Sequence, residues 1–259
     1  MKVSELILKV ANGLISFVII LSLSLAGLYA AYALWDNSLI YAAVDDAQAD
    51  MLKLKPQEDK PTFDELLAIN PDVQAWLTLD NTNIDYPVLQ GETNLNYINT
   101  DVYGNFALAG SIFLDSRNDG DFYDTYSLLY GHHMDNGKMF GDLSLYKEEA
   151  FFKENKTGTL ILPDRVYKLE IYACLLVSSS EEAIFNPKRW QDNIDDLLQF
   201  ADSNALYLNE VAIENAMNST DGDPQILALT TCSSEFTDAR TVILAVMEPY
   251  VQQQNRTVE

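Results

Sequence analysis

Gln225-Ile-Leu-Ala-Leu-Thr-Thr-Cys232-Ser-Ser-Glu-Phe-Thr-Asp-Ala-Arg240-Thr-Val-Ile-Leu-Ala-Val-Met247 reads as two short apolar runs joined by a polar loop. Each run is too short for a stable helix and rich in residues that fit a pleated sheet, so two adjacent antiparallel strands are expected. Cys232 then falls at the end of one strand and Arg240 at the start of the next, where the pairing can hold them side by side. Nearby positive charge favours thiolate over thiol, whose ordinary pKa is about 8.5. An arginine cannot serve as a base. It can donate hydrogen bonds to a carbonyl or a developing oxyanion. A buried structural cysteine beside a surface arginine would fit the same spacing.

Working outward, similar runs occur at 75–79, 84–89, 111–114, 126–130, 159–162 and 165–177, with Asp80-Asn-Thr-Asn83 as the turn of a hairpin. About eight short strands in one segment predict an all-β closed barrel or sandwich. One helix is expected among them over 189–203, because Trp190, Ile194, Leu197, Leu198 and Ala201 share a face. Upstream, Thr62-Phe-Asp-Glu65 has the form of a capping box opening a helix over 63–69, which Asn70-Pro71 ends. Residues 37–60 read as a juxtamembrane helix and linker, with Leu39, Ile40, Ala43, Ala47 and Met51 at helical spacing.

The N-terminus carries a different signal. No charged residue occurs from Val10 to Trp35, a run longer than the ~20 residues a helix needs to cross a bilayer. Lys2 and Lys9 precede it, and Asp36, Asp45 and Asp46 follow, which orients the N-terminus to the cytoplasm and the remainder outside. Ala31-Tyr32-Ala33 also matches a signal-peptidase pattern, but the apolar run exceeds the ~7–15 residues of a cleaved signal, so an uncleaved anchor is expected. The formal net charge is -23, from 39 acidic against 16 basic residues; so acidic a surface repels phosphate backbones and argues against nucleic acid as a partner. Two cysteines, Cys174 and Cys232, are too few for a disulfide framework. Cys174 lies in the apolar run Leu169-Glu-Ile-Tyr-Ala-Cys-Leu-Leu-Val177 and reads as a small core residue.

The chain has two histidines, and they are adjacent, in Leu128-Leu-Tyr-Gly-His132-His133-Met-Asp-Asn-Gly-Lys-Met-Phe140. Gly131 permits a sharp exit from the strand before them, so a histidine here sits at a barrel rim and can approach a cysteine distant in sequence. Acyl transfer through sulfur needs such a group to protonate a leaving amine and later deprotonate the incoming nucleophile. A metal site is the alternative, although adjacent histidines do not easily face one ion and no Cys-x-x-Cys or His-x-x-x-His partner is present.

Leu229-Thr-Thr-Cys232 with Arg240 resembles the sortase signature, in which a Thr-Leu-x-Thr-Cys strand is followed by an essential arginine. Tyr130 to Phe140 resembles the histidine segment of class B sortases. Asn70-Pro-Asp-Val-Gln-Ala-Trp-Leu77, Asn83-Ile-Asp-Tyr-Pro-Val88 and Ala109-Gly-Ser-Ile-Phe-Leu-Asp115 are similar to the early part of that class. One departure is Ala228, where the family usually has threonine. The resemblance implies a closed eight-stranded β-barrel with added N-terminal helices. It implies Cys232 as nucleophile, His132 rather than His133 as acid/base, Arg240 as the transition-state clamp, and substrate contacts from Leu229, Thr230, Thr231 and Ser233. It further implies a membrane-anchored transpeptidase without cofactor or metal. Its partners would be secreted surface proteins or pilins with a C-terminal sorting motif, and an amine acceptor from peptidoglycan precursor or a pilin lysine. A cysteine hydrolase would use the same residues, and a non-catalytic assembly module would leave Cys232 incidental. The expected organisation is a cytoplasmic 1–9, a span at 10–35, a linker at 36–61, a catalytic domain at 62–250 and a polar tail at 251–259.

Overall fold

The computed structural model describes residues 2–58, 62–190, 194–218, 224–231 and 239–250, in two compact units, Met1–Asp46 and Ala47–Glu259. The first unit is one helical rod, the larger part of α1 (Lys2–Leu52). Every residue from 12 to 39 is exposed, on all faces. A helix apolar all round cannot satisfy itself in water, and this one is long and apolar enough to cross a membrane. Sequence reading places a span and a separate juxtamembrane helix here; the two are one continuous helix. The reason is local: between Leu28 and Lys55 there is neither glycine nor proline, and Pro56 is the first residue unable to continue the hydrogen-bond ladder.

In the second unit, α2 (Asp64–Ile69) forms where expected, but its N-cap is Phe63 and no side chain caps it, so the capping box of Thr62 and Glu65 is not made. Burial of Phe63 outweighs the capping bond, since its ring enters a core cluster with Met51, Leu66, Trp76 and Phe113.

The strands are β1 (Val73–Leu79), β2 (Asp85–Leu89), β3 (Ile112–Leu114), β4 (Tyr126–Gly131), β5 (Thr157–Ile161), β6 (Val166–Ser178), β7 (Ala205–Leu208), β8 (Gln225–Thr231) and β9 (Ala239–Pro249). The order β5-β1-β2-β3-β4-β8-β9-β6 closes through the β5–β6 pairing into an eight-stranded barrel. The thirteen residues of β6 let it bind β5 with its first half and the short β7 with its second. Sequence reading omits β7, whose half-exposed residues show no alternation of burial. It also expects one helix after β6 where the chain makes several. These are α4 (Glu182–Phe185), a 3-10 turn (Pro187–Trp190), α5 (Asp195–Asn204) and α6 (Glu210–Met217), in addition to α3 (Glu149–Glu154) before β5. Trp190 belongs to the 3-10 turn rather than to α5.

Alternation decides what each strand residue touches. Tyr126 and Leu128 of β4, Ile226 and Ala228 of β8, and Val242 and Leu244 of β9 face outward and pack under α4, α5 and α6. Leu227, Leu229, Ile243 and Ala245 take the opposite, inner face and are fully buried. A 3-10 turn, Gly141–Lys147, contributes the buried Leu143 and Tyr146.

Candidate active site

Three neighbouring strands set the geometry. β4 and β8 are parallel, in register from Tyr126↔Ile226 to Gly131↔Thr231. β8 and β9 are antiparallel, in register from Gln225↔Met247 to Thr230↔Val242. His132 is the residue after β4. Arg240 is the second residue of β9, opposite Val177 of β6 and half-buried. Thr230 and Thr231, the last described residues of β8, lie between the end of β4 and the start of β9, so His132 and Arg240 flank the end of β8 on either side, with neighbouring strands about 4.8 Å apart. Cys232 and Ser233 lie outside the described residues.

Of the remaining expected site residues, Leu229 is fully buried on the inner face of β8. Thr231 ends the strand, opposite Gly131. Thr230 faces outward beside Tyr130, fully buried, and its hydroxyl has no partner among the described residues. An unmet buried hydroxyl costs about 1–3 kcal/mol.

The histidine loop is tightly held. Gly131 is needed because a Cβ there would sit 2.7 Å from the Phe140 ring. Past it the chain turns back, with Phe140 N donating to His132 O at 2.9 Å and an isolated bridge between His133 and Met139. Tyr86 Oη accepts from Met139 N at 3.0 Å, and Lys138 Nζ donates to Gln48 Oε1 at 2.8 Å. The half-buried His132 ring places Nε2 2.8 Å from Ile98 O. A carbonyl only accepts, so Nε2 carries the hydrogen and, in the neutral ring, Nδ1 holds the free lone pair. His133 instead places Nε2 3.7 Å from the exposed carboxylate of Asp135. The two histidines therefore have different surroundings: the His132 ring bonds a backbone carbonyl, and the His133 ring lies toward a carboxylate.

Sequence reading quotes Asp115 within a motif but assigns it no role. In the structure it is the hub of the rim. Its fully buried carboxylate accepts from Arg117 N, Nε and Nη2 at 2.9, 2.8 and 2.7 Å, from Asn94 Nδ2 at 2.9 Å and from Tyr130 Oη at 3.1 Å. Arg117 Nη2 also donates to Phe185 O at the end of α4, while the Tyr130 ring stacks between Phe113 and Phe185. Burial alone would raise the Asp115 carboxyl, but the side-chain and backbone bonds from Arg117 outweigh it and hold the group below the usual carboxylate range. Its contribution to stability is thus complete above the unfolded-state value, near 3.9, and is lost as pH falls through the lower folded-state value. Asp115→Asn should cost about 1–3 kcal/mol at pH 7. In denaturant titrations the gap to the parent protein should narrow as the pH is taken below 4; a gap unchanged down to pH 2 would mean that the carboxylate charge contributes nothing.

Cys174 is a poor nucleophile. It is fully buried in β6, and burial pushes its thiol up to about 12. Among the described residues there is no group of three or more histidine, cysteine, aspartate or glutamate side chains able to hold a metal ion.

No protein-family profile matches the chain. Individual proteins do. Sortase B of Staphylococcus aureus is 31% identical over 197 residues, covering 76% of this chain and 78% of that one. Among solved structures, a Streptococcus pyogenes class B sortase involved in pilus biogenesis superposes with a TM-score of 0.64 at 37% identity, covering 72% of this chain and 98% of that one. A Staphylococcus aureus sortase B–substrate complex gives a TM-score of 0.64 at 25% identity, over 82% and 95%.

Proposed function

This chain belongs to the sortase B family of cysteine transpeptidases, and from that premise we propose that it acts at the outer membrane face on secreted proteins bearing a C-terminal sorting motif, with Cys232, His132 and Arg240 as its catalytic residues. What supports the assignment is that β4 and β9 flank β8, with His132 directly after β4 and Arg240 second in β9, on either side of the strand that Cys232 follows in sequence.

The chemistry follows from what each group can do. The Cys232 thiolate attacks the carbonyl of the motif's threonine, and Arg240 donates to the oxygen as it gains charge. The C–N bond breaks, the leaving amine takes a proton from the His132 imidazolium, and the acyl group remains on sulfur as a thioester. An incoming amine then attacks this thioester, gives a proton to His132 and expels the thiolate. Peptidoglycan precursor and a pilin lysine both offer the required amine. The similarity to the pilus-associated Streptococcus pyogenes enzyme supports the pilin lysine as one acceptor. Thr230, with its unmet buried hydroxyl, is a substrate contact in this reading, together with Leu229, Thr231 and Ser233.

The apolar stretch of α1 serves as an anchor spanning 10–35, with the N-terminus cytoplasmic and the domain from 62 to 250 outside. A protein beginning at Asp36 should be soluble and should still cleave a sorting peptide. Incubated with and without an amine acceptor, it should give the amide conjugate in the first case and slow hydrolysis in the second. Hydrolysis alone at any amine concentration would identify a cysteine peptidase instead. A folded but inactive truncated protein would make the N-terminal segment part of the site.

A further inference from the structure

We infer that Gly110 is a positioning residue for His132, acting through the carbonyl of Ile98; the inference rests on the reading of His132 as the acid/base. Among the described residues no side-chain carboxylate bonds the ring of His132. Its partner there is the Ile98 carbonyl, at 2.8 Å from Nε2. That carbonyl belongs to the long β2–β3 connection, where a backbone oxygen keeps its aim only if its own segment is held.

The segment is held at both ends. Tyr97, just before Ile98, is buried, and its hydroxyl donates to Asp72 at 2.7 Å and accepts from Asn70 at 3.1 Å. After Ile98 the chain makes a small hairpin, with Ala107 N donating to Asn99 O at 3.0 Å and a bridge between Thr100 and Phe106. It returns through Gly110 to Ser111, whose N donates to Tyr97 O at 3.0 Å and whose hydroxyl donates to Thr100 O at 2.7 Å. Gly110 thus lies directly against residues 97 and 98.

Two features make glycine necessary at this point. Its φ is +58°, in the left-handed region. A Cβ at 110 would also stand 2.6 Å from Tyr97 O and closer still to Ile98 O. Those neighbours are backbone atoms, so a larger residue must move the very carbonyl that fixes the ring. With Nε2 held as donor, Nδ1 is the nitrogen left to exchange protons with sulfur and amine. Displacing Ile98 O frees the ring to rotate and to change tautomer, and both are incompatible with a preset proton path.

The test uses the full chain in detergent, labelled with 15N, and compares Gly110→Ala with Gly110→Asn. Asparagine tolerates the left-handed backbone better yet brings the same Cβ, so the pair separates strain from contact. Long-range 15N–1H correlations, assigned against His133→Gln, should show the neutral His132 ring of the parent protein as the Nε2–H tautomer. Both Gly110 variants should show mixed tautomers and acylate a sorting peptide about 10²-fold more slowly, the scale of an ångström-sized misplacement. Folded variants with the parent tautomer and rate would overturn the inference, as would an Nδ1–H ring in the parent protein. Variants unable to fold would make Gly110 a folding residue and overturn it too. His132→Ala, measured alongside, separates the two levels of the account. Near-parental activity there would remove His132 from the mechanism, whereas an inactive His132→Ala beside an unaffected Gly110→Ala would remove only Gly110.

Discussion

Cys232→Ala should abolish peptide cleavage and amine transfer together, with no residual turnover above the uncatalysed rate. The loss is total because the covalent route ends with the sulfur: no other group can carry the acyl chain between donor and acceptor. Cys174 cannot substitute, being fully buried with its thiol pushed up to about 12. The variant should fold normally and still bind the sorting peptide, since the proposed contacts from Leu229, Thr230 and Thr231 are unchanged. Activity retained in Cys232→Ala would support the reading in which the protein is a non-catalytic assembly module.

Arg240→Lys should fold and keep its charge, yet lose about 10²–10³ in the acylation rate. A planar guanidinium can present two parallel donors to one oxygen as it becomes an oxyanion, and an ammonium cannot reproduce that fork. His132→Ala should be at least as damaging. His133→Ala should be mild, because the His133 ring lies toward Asp135 while the His132 ring is fixed on Ile98 O. Single-turnover acylation, with circular dichroism as a check on folding, measures all three. A folded Arg240→Lys near the parental rate would mean that Arg240 contributes only charge. An inactive His133→Ala beside an active His132→Ala would exchange the two histidines.

Much of this architecture is legible in the sequence because strand signals are local. The runs around Trp76, Leu128, Ile226 and Ile243 each declare a strand; their number and short spacing leave a barrel or a sandwich, and the family resemblance selects the closed barrel of eight that forms. What is not legible is set by contacts across the chain. β7 exists because the second half of β6 has a free edge, which no property of 205–208 reveals. The helix expected over 189–203 breaks up because Trp190 is drawn into the core under Ala183, whose carbonyl accepts from its indole N–H at 2.8 Å. Thr62 does not cap α2 because Phe63 is worth more buried.

The same division holds at the rim. Cys232, His132 and Arg240 are conspicuous by residue type and strand context, and the family resemblance assigns their roles. Asp115 shows only as an Asp-x-Arg following an apolar strand. Its five hydrogen bonds come from Arg117, Asn94 and Tyr130, and two of those partners are distant in sequence. Ile98 and Gly110 cannot be found from sequence alone, since the working group at 98 is a backbone carbonyl and at 110 the working feature is a missing Cβ.

The central claim is that Cys232 carries the acyl group between the sorted protein and an amine. Intact-mass spectrometry after mixing enzyme with a sorting peptide in the absence of amine tests it most directly. The expected result is an adduct equal to the peptide up to its threonine, located on Cys232 by digestion, absent from Cys232→Ala and discharged on adding an amine with formation of the amide product. Turnover without any such adduct, or an adduct on another residue, would contradict it.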